Sequence, residues 1–447
     1  MPAAPLSEAE FAASMAPLGP FGPAPGLAAG VSGGPDSLAL ALLAAAWARA
    51  RGGRLLALVA DHGLRPGSDA EAAGVAAQLA GLGIAVRVLR LGLDGGPGLQ
   101  DRARAARHAA LLAACAEEGI PWLLLGHQRA DQAETVLFRA LRGSGATGLA
   151  AMAPLRVARA ALVLRPLLAV PPARLEAVVA AAGLRPVRDP SNADRRFARA
   201  RLREALAEPG GTGAATAALA EAAAAFACRR ARLAGAMAHR LAGCAVLRLE
   251  GFAELDPEAL GEDAVAVAVL AALLRAVGGS GFAPPRGAVA ALRRRGAGTL
   301  AGVWLRPGRG GWLLLREPGQ PGPAVPAARG ALWDNRFRLL GEGAPGHEVA
   351  ALGPAEAARL RHRAPGLPAA VLAMMPSIRC NGVLVAVPGL DYPGGERCAA
   401  FKTVFAPAGD AVLERNSTDS TVTKHRGHSR PGSASLSYGM LASGRRA

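Results

Sequence analysis

The sequence predicts an α/β protein whose N-terminal half is a doubly wound parallel sheet, followed by a helical domain and a small α+β C-terminal domain. Three observations lead there. Between residues 27 and 141, short apolar runs alternate with helical stretches, which is the rhythm of βαβ units. The runs are apolar throughout, as in strands covered by helices on both faces. The first run ends in a glycine-rich turn, Ser32-Gly33-Gly34-Pro35-Asp36-Ser37, at the edge where open α/β sheets bind ligands.

The elements follow in order. Residues 1–26 are rich in Pro, Ala and Gly and read as a short leader. Residues 27–31 are a strand, and a helix runs from the glycine-rich turn to about residue 51. Residues 54–60 (RLLALVA) are a buried strand that ends at Asp61-His62, 68–82 are helical, and 84–90 (IAVRVLR) are the next strand. A helix over 100–118 carries Leu111, Leu112 and Cys115 at apolar positions. Residues 121–125 (PWLLL) are a strand ending at Gly126-His127, and a helix over 130–141 stops at Arg142-Gly143. Pro209-Gly210-Gly211 breaks the chain and closes a domain over 27–208. Residues 209–320 read as mainly helical, at 214–241 and 263–277, with a strand candidate at 246–249 and a hairpin pairing 300–305 with 311–316. A Pro/Gly linker at 320–326 leads to a small α+β domain over 327–408, with strands at 336–340 and 382–387 and a helix at 354–361. The tail, 409–447, has few apolar residues and is expected to be disordered.

Composition narrows the class. A chain of 447 residues suggests two or three domains. Mean hydropathy is positive, +0.24, yet the longest uncharged apolar runs free of Pro and Gly, 38–48 and 264–274, have eleven residues each, and a helical span needs about 20. Glu8 and Glu10, with no basic segment before an apolar core, argue against a signal peptide. Cys115, Cys228, Cys244, Cys380 and Cys398 form no CxxC, so neither a disulfide scaffold nor a zinc ribbon is supported. A soluble, cytoplasmic protein without a membrane partner is expected. Its net charge is 51 − 34 = +17, and only Lys402 and Lys424 are lysines. Arginine forks onto phosphate, so an anionic polymer is a natural partner, although genome composition would also write Arg for Lys.

The turn at 32–37 is the sharpest signal. Two glycines let the backbone approach an anion, and the following helix offers N–H groups and the positive end of its dipole. Ser32 and Ser37 add hydroxyls, and Asp36 is a candidate ligand for a magnesium ion bridging phosphate oxygens. It is no Walker A loop, which needs a lysine beside Ser/Thr. SGGxDS resembles the signature of the PP-loop ATP pyrophosphatases, with an adenine nucleotide alpha hydrolase-like fold. Further blocks resemble the tRNA(Ile)-lysidine synthetase family: Asp61-His62-Gly63-Leu64-Arg65-Pro66; Ala103-Arg104 with Arg107-His108; Gly126-His127 through Asp131-Gln132-Ala133-Glu134-Thr135; Leu141-Arg142-Gly143-Ser144-Gly145; and Asp189-Pro190-Ser191-Asn192 followed by Phe197-Ala198-Arg199-Ala200-Arg201-Leu202-Arg203. The blocks agree in order over residues 27–203, and the similarity is looser to about residue 405.

That resemblance implies an ATP-dependent ligase acting on tRNA(Ile) with the anticodon CAU. ATP adenylates O2 of the wobble cytidine, the amine of free L-lysine attacks C2, and AMP and pyrophosphate are released. ATP would lie on Ser32, Gly33, Gly34, Pro35, Asp36 and Ser37, with Asp61 and His62 beside the adenine. Asp36, His127, Asp131, Asn192 and Arg203 would be closest to the chemistry. Asp36 and Asp131 are candidates for Mg²⁺ or for the lysine amine. His127, at a strand end four residues before Asp131, would stabilise phosphate charge or accept a proton; a lone histidine is otherwise a structural residue. Asp61 reads equally as a turn residue and helix cap. Arg188, Arg195, Arg196, Arg199 and Arg201, in a strip of seven arginines over 185–203, would contact tRNA phosphates, where a charge run is usually a solvated face. Arg229-Arg230 and Arg293-Arg294-Arg295 fit an exposed helix face as well as an RNA contact.

The chain departs from the family pattern at Ala130, where an acid is usual, at His108 for Tyr, and at Ala200 for Asn. Two other readings stay open. One is a PP-loop tRNA 2-thiolation enzyme, which typically needs cysteines this chain lacks. The other is a catalytically decayed tRNA-binding paralogue. The oligomeric state is open, a homodimer included.

Overall fold

The computed structural model describes residues 3–61, 63, 67–92, 99–158, 160–187, 201–202, 204, 206, 208, 211–394, 398 and 400–407. The chain divides into two compact units, one up to Arg232 and one from Leu233.

The first unit is built on a six-stranded sheet. Its strands are β1 (Gly26–Val31), β2 (Arg54–Asp61), β3 (Ala85–Arg90), β4 (Trp122–Leu125), β5 (Leu155–Val157) and β6 (Leu162–Leu164), in the order β3-β2-β1-β4-β6-β5. All neighbours are parallel except β5, which runs antiparallel to β6 at the edge. The apolar strands alternate between two cores, as the period of two requires. Leu27, Ala29 and Val31 of β1 join Leu55, Ala57 and Val59 of β2 in one core, while Ala28 and Leu58 face the other. The first core is closed by α2 (Pro35–Arg49), α3 (Ser68–Gly81) and, unanticipated from sequence, α7 (Pro172–Ala181). The second is closed by α4 (Leu99–Glu117) through Leu111, Ala114 and Cys115. Helices on both faces confirm the doubly wound sheet.

The leader expectation for residues 1–26 is corrected. Residues 8–15 form a helix, α1 (Glu8–Met15), opened by a capping box in which Ser7 and Glu10 satisfy each other's N–H groups. Phe11 and Met15 are fully buried, and Phe21 packs edge-on against Trp47, with ring centroids 5.0 Å apart, and also against Trp122. Each such side chain contributes roughly 1.5–3 kcal/mol on burial, so this segment belongs to the core. Arg174 on α7 clamps it from outside by pairing with Glu10 at 2.8 Å. That pairing holds the Glu10 carboxyl down to about 2.

Three further helices complete the unit or lead out of it: α5 (Arg129–Leu141), α6 (Ala146–Leu149) and α8 (Ala214–Cys244). In the second unit the helix expected at 263–277 is found at Ala264–Gly278, a further helix not expected from sequence spans Arg286–Arg295, and a five-stranded antiparallel sheet accompanies them. The expected hairpin is there, as Val303–Gly308 paired with Gly311–Arg316. The other three strands span three residues each: Ala245–Leu247, at the strand candidate expected over 246–249, and Ala253–Leu255 and Gly298–Leu300, which are too short to show a pattern in sequence. The remainder forms a four-stranded and a three-stranded sheet around Trp333, Phe337, Val349 and Ile378. No described helix is long and apolar enough to cross a membrane.

Candidate nucleotide site

The sheet's carboxyl edge gathers the motif residues. Gly30 of β1 lies beside Leu58 of β2 on one side and Leu125 of β4 on the other. The segments beginning at Ser32, Asp61 and Gly126 therefore leave the sheet at one level.

After β1 the chain turns through Ser32 and Gly33 into α2. Gly33 has φ +82°, and a Cβ there would lie 2.8 Å from Val75 and 3.0 Å from Val187, so backbone conformation and space both require glycine. Ser37 locks the turn: its Oγ accepts from Ser32 N at 3.1 Å and donates to the Gly34 carbonyl at 2.9 Å. Gly34 is the N-cap and has no side chain to close the helix end, and Pro35 occupies the first turn. The arrangement is a rigid cradle at a helix N-terminus, suited to an anion. A Cβ at Gly34 would stand 3.7 Å from Ser32 Oγ, within the mouth of the cradle. Asp36 lies in the first turn of α2.

The turn after β4 is packed onto this one. A Cβ on Gly126 would lie 3.0 Å from the Asp36 carbonyl oxygen and 3.2 Å from Ser37 Cα. Glycine at 126 thus lets the strand end touch the first turn of α2 and sets His127 beside the cradle. The sequence marked Gly126 only as a strand end within a motif block and assigned it no role. Helix α5 then opens with a closed cap. Gln128 accepts from Ala130 N, and Asp131 Oδ2 accepts from Gln128 N at 3.0 Å. Asp131 is therefore partly structural. Glu134, one turn on and 2% exposed, is a second carboxylate on that helix face; the sequence placed it in a motif block without a role. Gln132 ties α5 to Met152 through bonds of 3.0 and 2.9 Å. Arg129 donates from its guanidinium to the Gly211 carbonyl and from its backbone N–H to the Val170 carbonyl. Ala130 packs at Gly211, where the family pattern would carry an acid. Nearby, the Glu208 carboxylate accepts from the Thr216 and Ala215 N–H groups, and the Thr216 side chain, then these N–H groups and Arg129, hold its carboxyl below the usual range.

Asp61 is 8% exposed, and its Oδ1 accepts from Gly63 N at 3.0 Å and Ser68 Oγ at 2.8 Å. Its carboxylate thus closes the turn into α3, as the cap alternative expected. His62 lies outside the described residues, as do Arg188, Asn192, Arg195, Arg196, Arg199 and Arg203. Arg201 is described and exposed. The chain enters the arginine strip beside the cradle: Val187 N donates to Gly33 O at 2.9 Å, and Arg185 is held by Gln78. Arg293 has its Nε on the Gly261 carbonyl and its fork on Glu262, so its first partners are within its own unit.

Among the described residues no group of three or more His, Cys, Asp or Glu is arranged to hold a metal. Asp36 and Asp131 carry carboxylate oxygens, the donor type that magnesium takes.

Residues 7–209 match the family model described as a PP-loop domain. A tRNA(Ile)-lysidine synthase of Bradyrhizobium sp. is 46% identical over 202 residues, covering 44% of this chain and 56% of that protein. One of Novosphingobium aromaticivorans is 40% identical over 301 residues, 64% of this chain and 88% of that protein. One of Ruegeria pomeroyi is 36% identical over 376 residues, 81% of this chain and 88% of that protein. The chain thus spans only 56% of the first of these relatives.

Proposed function

The chain belongs to the tRNA(Ile)-lysidine synthase family, and from that premise we propose that it ligates free L-lysine to the wobble cytidine of tRNA(Ile) bearing CAU, using ATP. The observation that carries the proposal is the cradle at 32–37 with its uncapped helix end, packed through Gly126 against the turn that bears His127 and Asp131.

Cytosine C2 is a weak electrophile. In the proposed reaction its O2 attacks the α-phosphorus of ATP, pyrophosphate leaves, the lysine amine attacks C2, and AMP departs with O2. The backbone at Gly33 and Gly34 and the hydroxyls of Ser32 and Ser37 would hold the departing pyrophosphate. A magnesium ion on Asp36 and Asp131, when bound, would neutralise charge on the phosphate oxygens. His127, beside the first turn of α2, would stabilise that charge or take the proton an attacking ammonium must lose. Asn192, Arg203 and the strip Arg188, Arg195, Arg196, Arg199 and Arg201 would grip the anticodon region. Val187 supports this, because its N–H is bonded to the Gly33 carbonyl of the cradle just before the chain reaches Arg188. Holding three substrates in one crevice supplies most of the acceleration by proximity.

The test is incorporation of labelled lysine into tRNA(Ile) with CAU against tRNA(Met), with pyrophosphate release followed in parallel. Transfer to the first alone is expected. RNA binding without lysine- and tRNA-dependent pyrophosphate release would refute ligation and leave the decayed paralogue.

A further inference from the structure

A second set of basic side chains lies one strand beyond His127. Arg104, Arg107 and His108 sit at i, i+3 and i+4 on α4, on one helix face. Facing them, Arg156 is on β5, and Arg165 directly follows β6. Leu164 pairs with Leu124, so Arg165 leaves the sheet at the same carboxyl edge as Gly126-His127.

The set is built. An Arg156 Nη2 donates to His108 Nε2, and Arg165 Nη1 donates to the Ala153 carbonyl at 2.8 Å. Arginine can only donate, so His108 is the neutral acceptor that orients the Arg156 fork. Burial, then Arg156 and the other three arginines, lowers the His108 pKa in keeping with that role. Burial, with Arg156 and Arg104, also brings Arg165 down to about 10, and burial lowers Arg107. Arg165 Nε is buried with no hydrogen-bond partner among the described residues. Nor do Arg107, Arg156 or Arg165 form an ion pair there. Elsewhere the same protein treats buried guanidinium differently. Arg316 and Arg336, with side chains 13% and 1% exposed, share Asp334 at 3.1 and 2.7 Å. Partly buried positive charge without a carboxylate is costly, unless an anion arrives from outside.

We propose that Arg107, His108, Arg156 and Arg165 form a receptor for a phosphate group, brought either by an RNA strand or by the nucleotide. Planar forks on a neutral imidazole rest suit a phosphate's oxygens. The proposal rests on the reading of this edge as a nucleotide and RNA site only for the choice of probes. No lysine transfer is read, so a chain unable to ligate lysine would leave the result standing.

The probes for the full chain are inorganic pyrophosphate, ATP and an unmodified tRNA(Ile) transcript. If an RNA strand supplies the phosphate, Arg156→Gln weakens the transcript about tenfold and reduces the slope of log affinity against log salt by about one, with ATP unaffected. If the nucleotide supplies it, ATP and pyrophosphate weaken and the transcript does not. Arg156→Lys, which keeps the charge and loses the fork, is read in the same way should the glutamine variant fail to fold. Unchanged affinity for all three probes, in a variant melting at or above the parent temperature, overturns the receptor.

Discussion

Two strand-to-helix turns stand side by side at the carboxyl edge of the sheet, and they treat their helix ends in opposite ways. The turn into α2 ends on Gly34, with no side-chain cap. The turn into α5 ends on Gln128, and Gln128 and Asp131 close it with a reciprocal cap. An uncapped N-terminus keeps its dipole and its donors for a ligand. A capped one spends them on stability, typically about 1 kcal/mol. The first turn thus leaves its helix end open to a ligand. The second presents side chains on a helix that is already satisfied. Gly126 joins them, because its missing Cβ lets the second turn rest on the backbone of the first.

Substitutions can break this division of labour. The largest effect is expected from Asp36→Ala, which leaves folding intact and lowers labelled-lysine incorporation by at least about a hundredfold; near-normal incorporation would remove Asp36 from the metal assignment. Next is Gly33→Val. It meets a positive φ and the contacts to Val75 and Val187, so a loss of about 2–3 kcal/mol in denaturant unfolding is expected, together with loss of ATP binding. Asp131→Asn keeps an oxygen for the Gln128 N–H and removes the charge. Incorporation should fall about tenfold while stability stays within about 0.5 kcal/mol; the reverse pattern would make Asp131 purely a cap. The smallest effect on chemistry belongs to Gln128→Ala, which should cost about 1 kcal/mol of stability and leave the ATP affinity unchanged.

Much of the fold was legible because local chemistry writes it. The strands at 27–31, 54–60 and 84–90 were placed to within about a residue of β1, β2 and β3, since unbroken apolar runs between turn residues have few other uses. The three-residue β5 and β6 fall below the length at which a pattern exists. The residues at 1–26 misled through composition. Their capping box, Ser7 to Glu10, was readable, but the burial of Phe21 depends on Trp47 and Trp122, which are remote in sequence.

By itself the sequence determined the order of the βαβ units, the cradle residues Ser32 to Ser37 and the positions of His127 and Asp131. These follow from short-range requirements: a glycine where φ is positive, a strand end before a turn, a helix start after it. Only the tertiary structure decided that Asp61 serves its turn, that Asp131 is shared with a cap, and that Gly126 couples the two turns. It also brought His108, Arg156 and Arg165 into one cluster. Such convergence is set by the strand order β3-β2-β1-β4-β6-β5, which places distant residues at one edge and which no local pattern encodes.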